Sequence, residues 1–320
     1  MAKKPKPPEW VTLEEALRAF VLASEGTQGA THIEPMHWHV ASRLVVEGGF
    51  DPDWIMPRPP FVVELKSNRA LLRHEASAAY PGERTVMGGL KTKDIDVVVT
   101  IPEIGPCVAV SMKGSLNAFR NLTNRLEEAI GDCANIHMNY PSLVYGYLML
   151  MSANREGPVP PALLSRLPAD EKTGLVKMSD VAIRSNGAVS EYVGSFHEAM
   201  VRLAGRKDLR DDVSRYEAVS LLLASVEDGR IGQVDRQYPL ADSPLHIDKF
   251  FESLYAAYDL RYVYSAKRVR GLTSRYVWDP ESPAVFDKRA SGMTPRIGDD
   301  TAKPVQTFEV DAPPDSDDSD

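Results

Sequence analysis

The spacing of apolar residues predicts two helices near the N-terminus of the chain. Leu13, Ala16, Leu17, Phe20 and Val21 recur at helical spacing behind a capping box formed by Thr12 and Glu15. A second helix is predicted from Glu34-Pro35 to Gly48-Gly49. The segment LLRHEASAAY (71–80) predicts a third helix, which carries Glu75.

The pattern changes to β-branched and apolar runs in the stretch 91–134. A strand is predicted over Asp94–Ile101, then a turn with Pro and Gly, then a second strand over Cys107–Lys113. An amphipathic helix is predicted from about Leu116. Its packing face is formed by Phe119, Leu122, Leu126, Ala129, Ile130 and Cys133.

Further elements follow in alternation. Buried strands are predicted at 142–152 and at 217–226, with helices over 188–204 and from Ser243-Pro244 onward. The proline-rich loop Arg155–Gly174 has the character of a lid, a dimer arm or a partner-binding insert. The element order predicts an α/β fold with a central mixed β-sheet flanked by helices.

Composition divides the chain into four parts. Residues 1–9 are predicted to be a flexible basic arm, 10–80 an N-terminal helical region, 81–290 an α/β core with an insert at 155–180, and 291–320 a disordered acidic tail. The net charge is −8, but residues 297–320 hold eight acids against one lysine, so the remainder is close to neutral. Any nucleic-acid binding must therefore rest on local basic patches.

Several features indicate a cytoplasmic protein. No apolar run approaches the roughly 20 residues of a membrane span, so no membrane partner is expected. The first ten residues are basic and proline-rich, without the apolar stretch of a secretory signal. The two cysteines fall in predicted core elements, which favours a reducing compartment.

Polar residues converge at one end of the central strands. Side chains alternate along a strand, so Asp94 and Asp96 share one face of the first strand, and Ser111 and Lys113 share one face of the second. If the two strands pair as a hairpin, a carboxylate and an amine meet at one edge of the sheet. Such groups are costly to bury unless they are paired or bind a metal.

Two other polar sets are candidates for nucleic-acid contacts. The first lies on and before the outer face of the predicted 116–134 helix: Asn117, Arg120, Asn121, Asn124, Glu127 and Glu128. The second is the segment 258–278, where basic residues that include Arg268 and Arg270 alternate with tyrosines, as suits phosphate contacts and base stacking. The alternative for this segment is that its tyrosines are core and its basic residues form a solvated edge.

Three histidines precede or lie on the second predicted helix. His37 and His39 are two residues apart, which points them in different directions on a helix, and His32 comes just before. No cysteine lies near them. Ordinary surface or hydrogen-bonding histidines are therefore favoured over a zinc site.

The aspartate followed by a strand that carries Ser111-Met112-Lys113 and then by a helix resembles the core of PD-(D/E)XK nucleases. Most of that superfamily has Glu-x-Lys on this strand. Restriction endonucleases that cut around a CCGG core have Ser-x-Lys and take the missing acid from the next helix, fourteen residues after the lysine. Glu127 lies fourteen residues after Lys113. Asp96 precedes Lys113 by seventeen residues, a separation that suits the superfamily at large rather than the CCGG group.

The resemblance implies a Mg²⁺-dependent endonuclease, with Mn²⁺ as the alternative ion. Asp96 and Glu127 would bind the metal together with the Met112 carbonyl, Lys113 would orient the attacking water, and Ser111 would leave room for Glu127. Glu75 and Asp94 are the alternative acids. A restriction or other antiviral defence role, a DNA substrate, a homodimer and an activating protein partner are implied in the same way.

Two other interpretations remain open from the sequence. One is a catalytically weak module of nuclease fold that binds DNA or a protein. The other is a protein that does not bind nucleic acid, in which the basic stretch around 261–275 is a protein interface.

Overall fold

A computed structural model describes residues 10–23, 32–66, 69–167, 169–210, 212–263 and 276–279. These residues form an α/β fold, which confirms the predicted fold class. The helices are α1 (Leu13–Leu22), α2 (Glu34–Val46), α3 (Leu122–Asn139), α4 (Glu191–Leu203) and α5 (Ile247–Tyr258). The strands are β1 (Ile55–Met56), β2 (Phe61–Lys66), β3 (Arg69–His74), β4 (Arg84–Met87), β5 (Thr92–Ile95), β6 (Val97–Ile101), β7 (Gly105–Ser115), β8 (Val144–Ser152), β9 (Ala218–Ala224) and β10 (Val277–Trp278).

The central sheet has five strands in the order β1-β6-β7-β8-β9. β6 and β7 form an antiparallel hairpin, with Val97 opposite Val110, and β8 and β9 continue the sheet in parallel with β7. Every residue of β8 and β9 is buried. Both strands are continuously apolar because helices cover both faces of a parallel sheet.

Two apolar layers lie on the two faces of this sheet. Alternate residues of β7 divide between them: Val110 and Met112 belong to the layer that includes α1, α2 and α5, whereas Ala109 belongs to the layer that includes α3 and α4. This alternation follows from the two-residue period of a strand. The end of β7 that bears Lys113 therefore lies near both layers.

The predicted strand 94–101 is interrupted in the structure. Thr92–Ile95 pairs with β4 in a separate two-stranded sheet, and the central sheet begins only at Val97. Ile95 packs in the α3 layer and Val97 in the opposite layer. Asp96 thus stands at the point where the chain passes from one sheet to the other.

Two other predicted elements, and with them one predicted region, differ from the structure. The helix predicted at 71–80 is wrong, because Arg69–His74 is a strand that pairs with β2 and β10. The region 10–80 accordingly holds strands after its two helices. The helix predicted from Leu116 begins at Leu122, after a short 3-10 turn at Phe119–Asn121.

The loop from Arg155 to Gly174 does not stand apart from the fold. Leu163 and Leu167 are fully buried in the same apolar layer as α1 and α2. The buried Asn154 side chain donates to the carbonyls of Leu116 and Asp180 and ties the start and end of this region together. These contacts make the segment part of the core.

Candidate metal centre

Asp96 is anchored between the two sheets by the backbone of β7. Its Oδ2 accepts a hydrogen bond from the amide of Met112 at 2.6 Å, one residue before Lys113. Burial raises the pKa of Asp96, while this hydrogen bond and the positive charge of Lys113 act in the opposite direction. Lys113 is therefore near enough for its charge to act on Asp96, but the two side chains do not form an ion pair.

His37 brings a nitrogen ligand to the same carboxylate. Its Nε2 lies 3.4 Å from Asp96 Oδ1, and the side chain is only 5% exposed. No hydrogen-bond partner satisfies this buried nitrogen. Burial lowers the pKa of His37 to about 4, so the imidazole is neutral at neutral pH. A neutral imidazole nitrogen directed at a carboxylate is a suitable metal ligand.

Glu83 completes a group of three. One carboxylate oxygen of Glu83, one of Asp96 and a ring nitrogen of His37 lie within 4.8 Å of one another, and Glu83 is the exposed member. Burial, and then the nearby Asp96 carboxylate, raise the pKa of Glu83. Two carboxylates and an imidazole at this separation fit a single divalent cation, whose charge would relieve the repulsion between the two acids.

The β4–β5 hairpin positions both carboxylates. Glu83 directly precedes β4 and Asp96 directly follows β5, so the paired strands bring the two acids together. Lys93 on β5 forms an ion pair with Asp132 on α3, with Nζ and Oδ2 2.5 Å apart. This pair holds the hairpin against α3 and places a second ammonium near Asp96, where its charge also acts on the pKa of that acid.

Other predicted catalytic residues lie outside the three-residue group. Ser111 is buried and its Oγ is 2.6 Å from the hydroxyl of Tyr145, so its hydroxyl is engaged in the core. Glu127 is exposed on α3. Asp94 is exposed and accepts a hydrogen bond from Thr85, and Glu75 is half-buried and accepts one from Ser77. Among the described residues, the metal-capable group contains none of these four.

Metal binding by the Met112 carbonyl stays a prediction. The hydrogen bond between Met112 and Asp96 involves the Met112 amide, not its carbonyl.

The predicted nucleic-acid contacts have different positions. Arg120, Asn121 and Asn124 are exposed, whereas Asn117 is half-buried and donates to the carbonyl of Arg166. Arg268 and Arg270 lie outside the described residues.

Two residues of the described part of the 258–278 segment make inward contacts. Arg261 forms an ion pair of 2.8 Å with the buried Glu217, and Tyr262 is a core residue. Tyr262 fits the alternative interpretation, in which the tyrosines of this segment are core, whereas Arg261 pairs with a buried acid instead of forming a solvated edge.

Sequence reasoning missed His37 and Glu83. His37 was assigned to ordinary histidines, although it is buried and its Nε2 has no hydrogen bond. The sequence offered one signal. α2 has few polar residues, which indicates a helix buried on most sides, and both His37 and His39 are indeed buried. His39 has a structural explanation, because its Nδ1 lies 3.1 Å from the carbonyl of Val11.

Comparisons of the chain with protein-family models, with curated proteins and with solved structures find no match. None of the described helices is both long and apolar enough to cross a membrane.

Proposed function

We propose that the protein is a metal-dependent endonuclease that hydrolyses phosphodiester bonds in DNA. The observation that carries the proposal is the convergence of Lys113 with Asp96, His37 and Glu83 where β5 passes into β6. The resemblance of the Asp96 and Ser111-Met112-Lys113 segments to PD-(D/E)XK nucleases supports it. The order of elements also supports it: the β6–β7 hairpin is followed by α3 and then by β8, which is parallel to β7.

Each residue has a role that its position suits. His37, Glu83 and Asp96 would bind the cation, and the Met112 amide fixes the orientation of the Asp96 carboxylate. A bound divalent cation supplies an acidic water and charge stabilisation at the phosphate. Lys113, half-buried beside Asp96, would hold the attacking water and offset the negative charge that develops on the phosphate.

The ligand set favours Mn²⁺ over the expected Mg²⁺. Mg²⁺ takes oxygen ligands almost exclusively, whereas an imidazole nitrogen suits transition-metal ions. His37 supplies that nitrogen, while Glu83 and Asp96 supply the oxygens that Mn²⁺ also accepts. The role in restriction or antiviral defence rests on the resemblance alone.

The test is incubation of the purified chain with plasmid, linear duplex and single-stranded DNA in Mn²⁺, Mg²⁺ or EDTA. We expect cleavage that is fastest in Mn²⁺ and absent in EDTA. Lys113→Ala is expected to lower the rate by at least about 100-fold, and Lys172→Ala, at an exposed lysine outside the site, is the matched control. Cleavage that survives Lys113→Ala, or that needs no metal, would contradict the proposal.

A second candidate is a catalytically weak module of nuclease fold that binds DNA without cutting it. This candidate is favoured because Ser111 stands where most of the superfamily has an acid, and because Glu127, the acid that would replace it, lies outside the three-residue group. Salt-dependent DNA binding without cleavage in any metal would establish the module in place of the enzyme.

A further inference from the structure

A buried arginine lies at the end of the central sheet without an acidic partner. Arg166 is 8% exposed, yet in the described part of the chain no carboxylate forms an ion pair with its guanidinium. Its Nη2 donates to Ser152 Oγ at 3.1 Å. Its Nε and Nη1 are buried, and among the described residues neither has a hydrogen-bond partner. A guanidinium has five N–H groups, so the one on Nε and the two on Nη1 lack acceptors.

The inward position of Arg166 follows from one helical turn in the loop after β8. Pro161–Leu163 is a short 3-10 turn, and the amide of Leu167 donates to the Leu163 carbonyl at 2.8 Å. Leu163, Arg166 and Leu167 are three and four residues apart and face inward, whereas Leu164 is 57% exposed. Arg166 thus takes a core position between two leucines, beneath a single turn of chain. Arginine is almost never fully buried unless it is paired.

A chain of hydrogen bonds holds the guanidinium in one orientation. The Ser152 hydroxyl donates to Asn154 Oδ1 at 2.6 Å, so its oxygen acts as the acceptor for Arg166. Asn154 Nδ2 in turn donates to two backbone carbonyls. The Asn117 side chain donates to the Arg166 carbonyl at 3.2 Å. The guanidinium is therefore fixed before a ligand arrives, which lowers the entropy cost of binding.

Another buried arginine of this chain has its charge compensated. Arg206 is 5% exposed, and its guanidinium pairs with Glu217 at 3.1 Å and donates to three backbone carbonyls. A guanidinium that only braces the fold is satisfied in this way. Burial alone lowers the pKa of Arg166 to about 10, so this side chain is still charged at neutral pH. An unpaired buried charge is strongly destabilising, and the single bond to Ser152 does not offset it.

We propose that Arg166 forms a binding site for a small monocarboxylate at the carboxyl end of β8. Carboxylate oxygens form charge-assisted bonds with guanidinium N–H groups, and Nε and Nη1 are the donors available here. One negative charge balances the one buried positive charge, whereas a phosphate dianion would leave an excess negative charge in the core. Leu163 and Leu167 belong to the apolar layer, so the rest of the ligand is a short apolar group.

The ligand reaches the guanidinium from the outer side of the loop. Neither Nε nor Nη1 contacts solvent, so entry requires the turn above Arg166 to move outward. Leu164 and Ser165 on the outer side of this turn are exposed. The proposal does not rest on nuclease activity, because Arg166 is not a member of the three-residue metal group.

Thermal unfolding of the metal-free full chain in sodium acetate, chloride or phosphate at equal ionic strength tests the proposal. Without metal, acetate cannot act through a cation at the three-residue group. We expect acetate to raise the melting temperature in a saturable way, by roughly 2 °C at ten times its dissociation constant. Chloride and phosphate should leave it unchanged. A rise in phosphate alone would refute the carboxylate, and no difference among the three salts would refute the site.

Arg166→Met separates ligand binding from a bracing role. Methionine fits the apolar layer without a charge, so this variant should melt in chloride no lower than the wild type and should lose the acetate response. Arg202→Met, at an exposed arginine on α4, is the matched control and should keep the full response. An Arg166→Met protein that melts several degrees lower in chloride would make Arg166 a structural brace. One that keeps the acetate response would place the ligand elsewhere.

Nuclear magnetic resonance of the wild type gives a readout that needs no variant. The Nε–H group of Arg166 is shielded from solvent, so its signal should be observable after isotope labelling and assignment. We expect this signal to shift as acetate is added and to saturate with the dissociation constant found by thermal unfolding. An Arg166 signal that does not respond to acetate would overturn the proposal.

Discussion

Replacing Asp96 with asparagine should separate the stability of the fold from the binding of metal. The amide oxygen can still accept from the Met112 amide, and the new NH₂ group can donate to His37 Nε2, which now has no partner. Burial raises the pKa of Asp96, so the metal-free protein loses stability as the pH rises through that pKa. The variant removes this penalty. We therefore expect its metal-free unfolding free energy at pH 7 to be unchanged or about 1 kcal/mol higher.

In the presence of metal, the same substitution should lower the stability relative to the wild type. If Mn²⁺ binds at this site, free Mn²⁺ at 100 times its dissociation constant should stabilise the native protein by about 2.7 kcal/mol, which for a chain of this length is a rise of roughly 4–5 °C in melting temperature. Asp96→Asn removes one of the three proposed protein ligands, so this rise in melting temperature should disappear.

Thermal unfolding followed by circular dichroism, with Mn²⁺ or with EDTA, measures both quantities. Asp94→Asn is the matched control, because Asp94 is exposed and bonded to Thr85 outside the three-residue group, and it should keep the full metal response. An Asp96→Asn protein that still melts higher in Mn²⁺ would move the metal site elsewhere. One that loses several kcal/mol without metal would make Asp96 a structural anchor instead.

Other perturbations bear on the metal identity, the pH response and the buried ion network. His37→Gln should weaken Mn²⁺ binding by at least about tenfold and Mg²⁺ binding much less, as isothermal titration would show; equal losses would count against a nitrogen ligand. The pKa of His37 is lowered to about 4, so the stability that its neutral form contributes is complete above pH 6.5 and is lost as the pH falls toward 4. This contribution of His37 to the unfolding free energy is of order 3 kcal/mol. In urea titrations between pH 6.5 and pH 4, the wild type should lose about that much stability, and His37→Gln should not show this loss. Glu217→Gln should cost about 3–5 kcal/mol in urea unfolding, because the carboxylate pairs with Arg206 and Arg261 in the core; a loss under 1 kcal/mol would mean that the network adds nothing.

The sheet could be predicted because its strands carry strong local signals. β8 and β9 are continuous apolar runs, and the β-branched residues of β6 face a second apolar run across a Pro-Gly turn. Alternation along these strands also predicted that an acid and an amine could meet at one edge of the sheet, and Lys113 lies near enough to act on the pKa of Asp96. In contrast, β3 has the local composition of a helix, and it becomes a strand because pairing with β2 and β10 outweighs that preference.

The remaining members of the metal group depend on tertiary structure. His37 reaches Asp96 from a helix that is far away in sequence, and no periodicity links the two residues. Glu83 meets Asp96 only because β4 and β5 fold back on each other. The break at Asp96 has no sequence signal either, since Ile95 and Val97 continue the same β-branched run while they pack in opposite layers.

The position of Glu127 depends on where α3 begins and on which of its residues are buried. The spacing of fourteen residues from Lys113 to Glu127 has structural meaning only if the helix begins where the comparison assumes, and α3 begins at Leu122 rather than near Leu116. The register of α3 is set by its buried residues, which include Ala129, Cys133 and Ile136, and this register leaves Glu127 exposed. At about 100° per residue, a residue five positions later points about 140° away from Glu127. That residue is Asp132, which is buried and paired with Lys93. The inward-facing acid of α3 is therefore Asp132, and its ion pair fixes the hairpin that carries Glu83 and Asp96 at its base.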